Sequence, residues 1–150
     1  MRGLYALLLS VDREVTVAAG SLGRVKLRPG ICVYIGSGLG VASTSIEGRL
    51  ARHFNGVKRK HWHIDYLLSS SSCKPLLAIF SEARRRLECD LAAKILEDHR
   101  ASLAHRRFGS SDCSCGGHLI FLSSLGIDAV ERLVRERFED LRLKPQRWRG

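Results

Sequence analysis

Two tyrosines, an arginine and a glutamate occupy positions from which they could hydrolyse a phosphodiester. Tyr5 lies in Gly3-Leu4-Tyr5 and Tyr34 in Tyr34-Ile35-Gly36, each on a short apolar run. At roughly 100° per residue, Ile46, Leu50 and Phe54 make the buried stripe of a helix over about 46–55. Arg49 then falls on the stripe's border and Arg52 points outward. A second helix, expected to start at a Ser81 cap and run to about His99, has Leu87, Leu91 and Ile95 on its core stripe, with Glu88 nearly on it. A carboxylate there is costly unless it binds a cation, either a metal ion or a guanidinium from Arg84, Arg85 or Arg86. Any one of these residues is ordinarily a packing or surface residue; the ordered set suggests chemistry. Tyr5 or Tyr34 would take the proton from an attacking water, its pKa lowered by a nearby cation. Arg49 would neutralise phosphoryl oxygens with its planar fork, and Glu88 would hold a hydrated Mg²⁺ or Mn²⁺. His53, one turn beyond Arg49, is either a partner of this set or a satisfied core histidine.

The elements that position these groups can be read from period and punctuation. Residues 3–9 form a buried strand, 14–18 and 25–27 two short strands, and 31–35 another, with Gly36 to Gly40 breaking the pattern. Ser45 caps the helix over 46–55, and Gly56 stands just past its end. Ser69 to Ser72 and Pro75 mark a loop before a strand at 76–80. Residues 108–117 form a loop, 118–122 a final strand, and 127–143 a helix with apolar residues at 127, 130, 133, 134, 138 and 141. No repeat or linker divides the chain.

Basic residues Arg52, Lys58, Arg59 and Lys60 follow the first helix, near Trp62, which could stack on a base or sugar. Arg142, Lys144, Arg147, Trp148 and Arg149 form a second cluster, read as a basic tail from about 144 to 150. His61 and His63 with Cys113, Cys115 and His118 could supply zinc ligands across a folded loop, although the spacing fits the common zinc modules poorly. Alternatively His63, Asp65 and Asp112 line the cleft.

In their order along the chain, Gly3-Leu4-Tyr5, Tyr34-Ile35-Gly36, Arg49 within Gly-Arg-Leu-Ala-Arg-His and Glu88 within Leu-Glu-Cys-Asp-Leu-Ala resemble the active-site set of the GIY-YIG nuclease superfamily. The likeness covers residues 3 to about 122. It is closest to a mainly archaeal branch, sometimes fused to an endonuclease III-type DNA glycosylase, whose members carry stretches like His61-Trp62-His63-Ile64-Asp65-Tyr66-Leu67 and Phe108-Gly109-Ser110-Ser111-Asp112-Cys113. The resemblance implies an α/β (α+β) fold with a small antiparallel or mixed central sheet flanked by helices. It also implies a metal-dependent endonuclease acting on nucleic acid, DNA more than RNA, in repair or recombination, with a DNA-repair protein as a possible partner. In this chain 28 residues separate Tyr5 from Tyr34, a wider gap than the superfamily usually has and room for an extra hairpin between the motifs. The asparagine that many members place after the metal-binding helix has no counterpart, since Asn55 is the one asparagine in the chain. A catalytically inactive nucleic-acid-binding accessory module and a zinc-stabilised interaction domain are the alternatives.

Composition agrees with a polyanion as partner. The 150 residues, 45% hydrophobic, suffice for one domain with a real core. Their formal charge of +10 draws nucleic acid by long-range attraction. The apolar run Leu4 to Val11 is too short to span a bilayer, and Asp12-Arg13 follows where a signal peptide would need a cleavage site. A cytoplasmic protein is expected, with its five cysteines as free thiols. Scarce Asn, Gln and Met and an excess of Arg over Lys suggest a thermophile.

Overall fold

The structure is a computed structural model that describes residues 1–56, 59–109 and 116–149. Strand β1 (Gly3–Val11) is buried at nearly every position because it is central and covered on both faces. It pairs antiparallel with β4 (Gly30–Gly38) on one side and β5 (Cys73–Glu82) on the other. Strands β7 (Leu119–Leu122) and β6 (Ala101–Leu103) extend the sheet beyond β4, and β8 (Gln146–Trp148) closes the opposite edge on β5. The result is a six-stranded antiparallel sheet in the order β6-β7-β4-β1-β5-β8. The expected hairpin between the two tyrosine motifs is β2 (Val15–Ala18) paired with β3 (Arg24–Leu27), a separate two-stranded unit.

Among the described residues four α-helices flank the sheet, making a mixed α+β fold. Side chains alternate across a strand, so Leu4, Ala6 and Leu8 face one layer and Tyr5, Leu7 and Leu9 the other. The first layer packs on α3 (Glu88–Leu96) and α4 (Ile127–Asp140) through Leu91, Ile95, Val130, Val134 and Phe138. The second packs on α1 (Ile46–Asn55), α2 (His63–Leu68) and the hairpin through Ile46, Leu50, Ile64, Leu67 and Val25. In α1 the cap is as expected: the Gly48 N–H donates to Ser45 Oγ at 3.1 Å, and Gly56 follows with φ of 83°.

Three expectations are corrected. Ser81 caps no helix: β5 runs on to Glu82, the Ser81 hydroxyl donates to the Glu82 carbonyl, and α3 begins only at Glu88. The segment at 61–67, read only as a motif, contains α2, whose N-terminus Asp65 caps by accepting from the N–H groups of His61 and Trp62 at 2.8 and 2.9 Å. The basic tail is an ordered edge strand, β8. It is held by Arg147, whose guanidinium donates to both oxygens of buried Glu131, and by Trp148, packed edge-on against Phe80. No helix among the described residues is long and apolar enough to cross a membrane.

Candidate active site

Where β4 ends, a cleft of about 200 Å³ opens between α1 on one face of the sheet and the N-terminus of α3, which reaches round from the other. Tyr34, Arg49 and Glu88 all line it, and so do His61, Trp62 and His63. The cleft is smaller than an ordinary small-molecule pocket.

The two tyrosines are not equivalent. Tyr5 and Tyr34 lie on the same face with ring centroids 6.4 Å apart, but Tyr5 is 1% exposed and absent from the cleft wall, whereas Tyr34 reaches it. Burial pushes the Tyr5 hydroxyl's pKa well above its ordinary value. The neighbouring Tyr34 adds to this, and the charge and hydrogen bonding of Arg49 only partly oppose it. Tyr5 is therefore a buried hydroxyl outside the cleft wall, and its partner is His53 Nε2 at 2.7 Å. His53 is itself buried, and its pKa is lowered to about 4 by desolvation and by the cations Arg49 and Arg52, against the pull of Asp65. It is a neutral imidazole at neutral pH. The strand register explains Gly36 of the second motif: it faces Tyr5 across the β1–β4 ladder, and a Cβ there would meet the tyrosine hydroxyl at 2.5 Å. Gly3-Leu4-Tyr5 and Tyr34-Ile35-Gly36 thus interlock, one motif's glycine making room for the other's tyrosine.

Arg49 is held by stacking. Its guanidinium carbon sits 4.7 Å from the Trp62 ring centroid, and that of Arg52 sits 4.8 Å from the same ring. Arg52 is fixed in turn by fully buried Asp65, whose carboxylate accepts its Nη2–H at 2.8 Å. Burial would raise the Asp65 pKa, but Arg52 and the two backbone donors more than reverse this and hold it below the ordinary carboxylate range. Asp65 is therefore not a cleft residue, as one reading of the sequence had it, but the buried partner of a partly exposed Arg52. Trp62, read from the sequence as able to stack on a base or sugar, has the guanidiniums of two arginines over its ring. Arg59 accepts from Arg52 through its backbone carbonyl, and Lys60 lies over the Tyr66 ring at 5.6 Å. Lys58, Asp112, Cys113 and Cys115 lie outside the described residues.

Glu88 is the first residue of α3, with its side chain 13% exposed. One oxygen stands 3.5 Å from Arg86 Nη1; the other, Oε1, is buried and makes no hydrogen bond within the described protein. Ser37 Oγ and Arg49 Nε, also on the cleft wall, are in the same condition. Buried polar atoms are nearly always satisfied, and these three, on residues that line the cleft, have no hydrogen-bond partner within the described protein. Sequence reasoning missed Ser37, Leu39, Arg86 and Gly109 as cleft residues. Ser37 could have been found, since it directly follows the second motif. On the far wall Tyr34 packs edge-on against buried Phe108, and the Gly109 N–H donates to His63 Nδ1 at 3.0 Å. His63 has its pKa lowered by desolvation and by His105.

Among the described residues no three His, Cys, Asp or Glu side chains converge as a metal centre. His118, one of the expected zinc ligands, is buried with Nε2 3.6 Å from Cys89 Sγ, while His61 and His63 face the cleft.

A family model matches residues 4–142. The chain belongs to the family described as domain of unknown function DUF123. The match to DUF123 spans every element from β1 to α4 and all the cleft residues, so the site belongs to the family's domain and not to an appendage. No curated protein and no solved structure matches the chain.

Proposed function

We propose that this DUF123 chain is a metal-dependent endonuclease of the GIY-YIG type, hydrolysing phosphodiester bonds in nucleic acid, with DNA favoured over RNA. The observation that carries the reading is the convergence of Tyr34, Arg49 and Glu88 on one small polar cleft, although they come from β4, α1 and α3. Orphaned Arg49 Nε and Glu88 Oε1 add a donor for a phosphoryl oxygen and an acceptor suited to a cation.

In this reading Tyr34, on the cleft wall, first gives its hydroxyl proton to solvent and, as the phenolate, takes a proton from water as the water oxygen bonds to phosphorus. Arg49, oriented by its stack on Trp62, binds a nonbridging oxygen as charge builds there. His53 and Tyr5 act from below, keeping Arg49's floor rigid without exchanging protons. The P–O ester bond then breaks, and the leaving oxygen is protonated from solvent. Glu88 fits a cation through its unpaired oxygen, and Mg²⁺ or Mn²⁺ bound there would supply positive charge against the leaving oxygen.

A second reading, a nucleic-acid-binding module without activity, draws on the Arg86–Glu88 pair, which neutralises the carboxylate without a metal. The two separate on one experiment. The protein is incubated with labelled DNA and RNA of single-stranded, duplex and branched form in Mg²⁺ or Mn²⁺, with Arg49→Ala alongside. Cleavage that the variant loses supports the nuclease; tight binding without cleavage by either protein supports the binding module.

A further inference from the structure

The segment Ala83-Arg84-Arg85-Arg86-Leu87 joins β5 to α3 as a bend pinned at both ends by apolar side chains. Ala83 and Leu87 are buried in the layer beneath α3, and the Ala83 N–H donates to the Arg2 carbonyl at 3.1 Å. With both ends held in the core, the three arginines between them are all exposed. Arg86 turns into the cleft beside Glu88. Arg84 turns the other way, into a neighbouring open hollow of about 430 Å³ that it lines with Arg2, Ala83 and Glu82. The two hollows adjoin, because Arg2 donates from Nε to the carbonyl of Leu39, which is on the cleft wall. Among the described residues neither Arg84 nor Arg85 forms an ion pair. In the other basic clusters Arg52 is paired with Asp65 and Arg147 with Glu131.

We infer that the Arg84–Arg85 bend, together with Arg2, is the surface that carries the sugar–phosphate backbone of a nucleic-acid strand out of the cleft. This rests on the nuclease reading and adds the strand's path to it. Unpaired guanidiniums on a bend fixed at both ends meet phosphates at little ordering cost, and such contacts position a strand without reading its sequence. Glu82, the one carboxylate among the described residues that line the hollow, opposes the phosphates.

The test is the salt dependence of affinity for a labelled mixed-sequence duplex, measured in Ca²⁺ with parent, Arg84→Ser/Arg85→Ser, and the charge-matched control Arg24→Ser/Arg132→Ser from the hairpin and α4. Each lost phosphate contact lowers the slope of log K against log salt by about 0.9 on duplex DNA. The bend variant should therefore lose about 1.8 of slope and the control almost none. Glu82→Gln should tighten binding. A bend variant with the parent's slope, or a control that falls equally, overturns the surface while leaving the nuclease reading intact. A parent that neither binds nor cleaves any nucleic acid overturns both.

Discussion

The Tyr5 hydroxyl lies 2.7 Å from His53 Nε2, directly beneath the wall that Tyr34 presents to the cleft. This pairing distinguishes two tyrosines that the sequence motifs present as equals. Tyr5→Phe strips a buried imidazole nitrogen of its partner and should cost about 1–3 kcal/mol of stability, measured by urea unfolding, with a small effect on cleavage. Tyr34→Phe should lower the single-turnover cleavage rate by about 10²–10⁴. A greater loss of rate in Tyr5→Phe than in Tyr34→Phe would reverse the assignment.

The depressed pKa of His53 has a consequence for acid stability. The folded value is about 4, below the ordinary 6.5, so the unfolded chain takes up a proton that the folded one refuses. Its contribution is fully present above pH 6.5, falls as pH drops, and is exhausted near pH 4, a loss of roughly 3 kcal/mol. The difference in unfolding free energy between parent and His53→Gln should therefore change across that window. A difference flat from pH 4 to 6.5 would show that His53 is protonated in the folded state.

Asp65 holds Arg52 and the first turn of α2 together. Asp65→Asn leaves the Arg52 guanidinium uncompensated and weakens the cap, and should cost on the order of 3 kcal/mol. The same variant should shift Trp62 emission to the red by less than full unfolding does, since the stack loosens locally and admits water. An unfolding midpoint equal to the parent's would contradict the pairing.

Deleting residues 144–150 removes β8, the Arg147–Glu131 pair and the Trp148–Phe80 contact. The expected result is lower stability, by roughly 2 kcal/mol or more, read as a lower midpoint in thermal unfolding. A truncated chain as stable as the parent would mean that the tail is not an integral strand.

Much of the fold was legible because it follows local rules. Helix α1 could be bounded by its Ser45 cap and Gly56, and β1 announced itself as an unbroken apolar run. The residues most in error were those whose state is decided at a distance. Ser81 looks like a helix cap, but β1 holds it in a strand through the Leu4–Ser81 register, and its hydroxyl accepts from the Lys144 N–H. Strand β8 is short and basic, and only Glu131, 16 residues earlier, gives Arg147 a reason to be there. At the site, Tyr34, Arg49 and Glu88 could be picked out by type and order. The burial that separates Tyr5 from Tyr34, and the bond that withdraws Arg52 into Asp65, arise only when α1 and α2 pack together.

The most direct measurement is the rate of Mn²⁺-supported cleavage of a labelled DNA substrate by the parent and by Glu88→Ala, purified identically and checked for equal folding. The account predicts cleavage by the parent and a loss of about 10² or more in the variant. Equal rates in the two proteins, or no cleavage by the parent on any substrate, would contradict it.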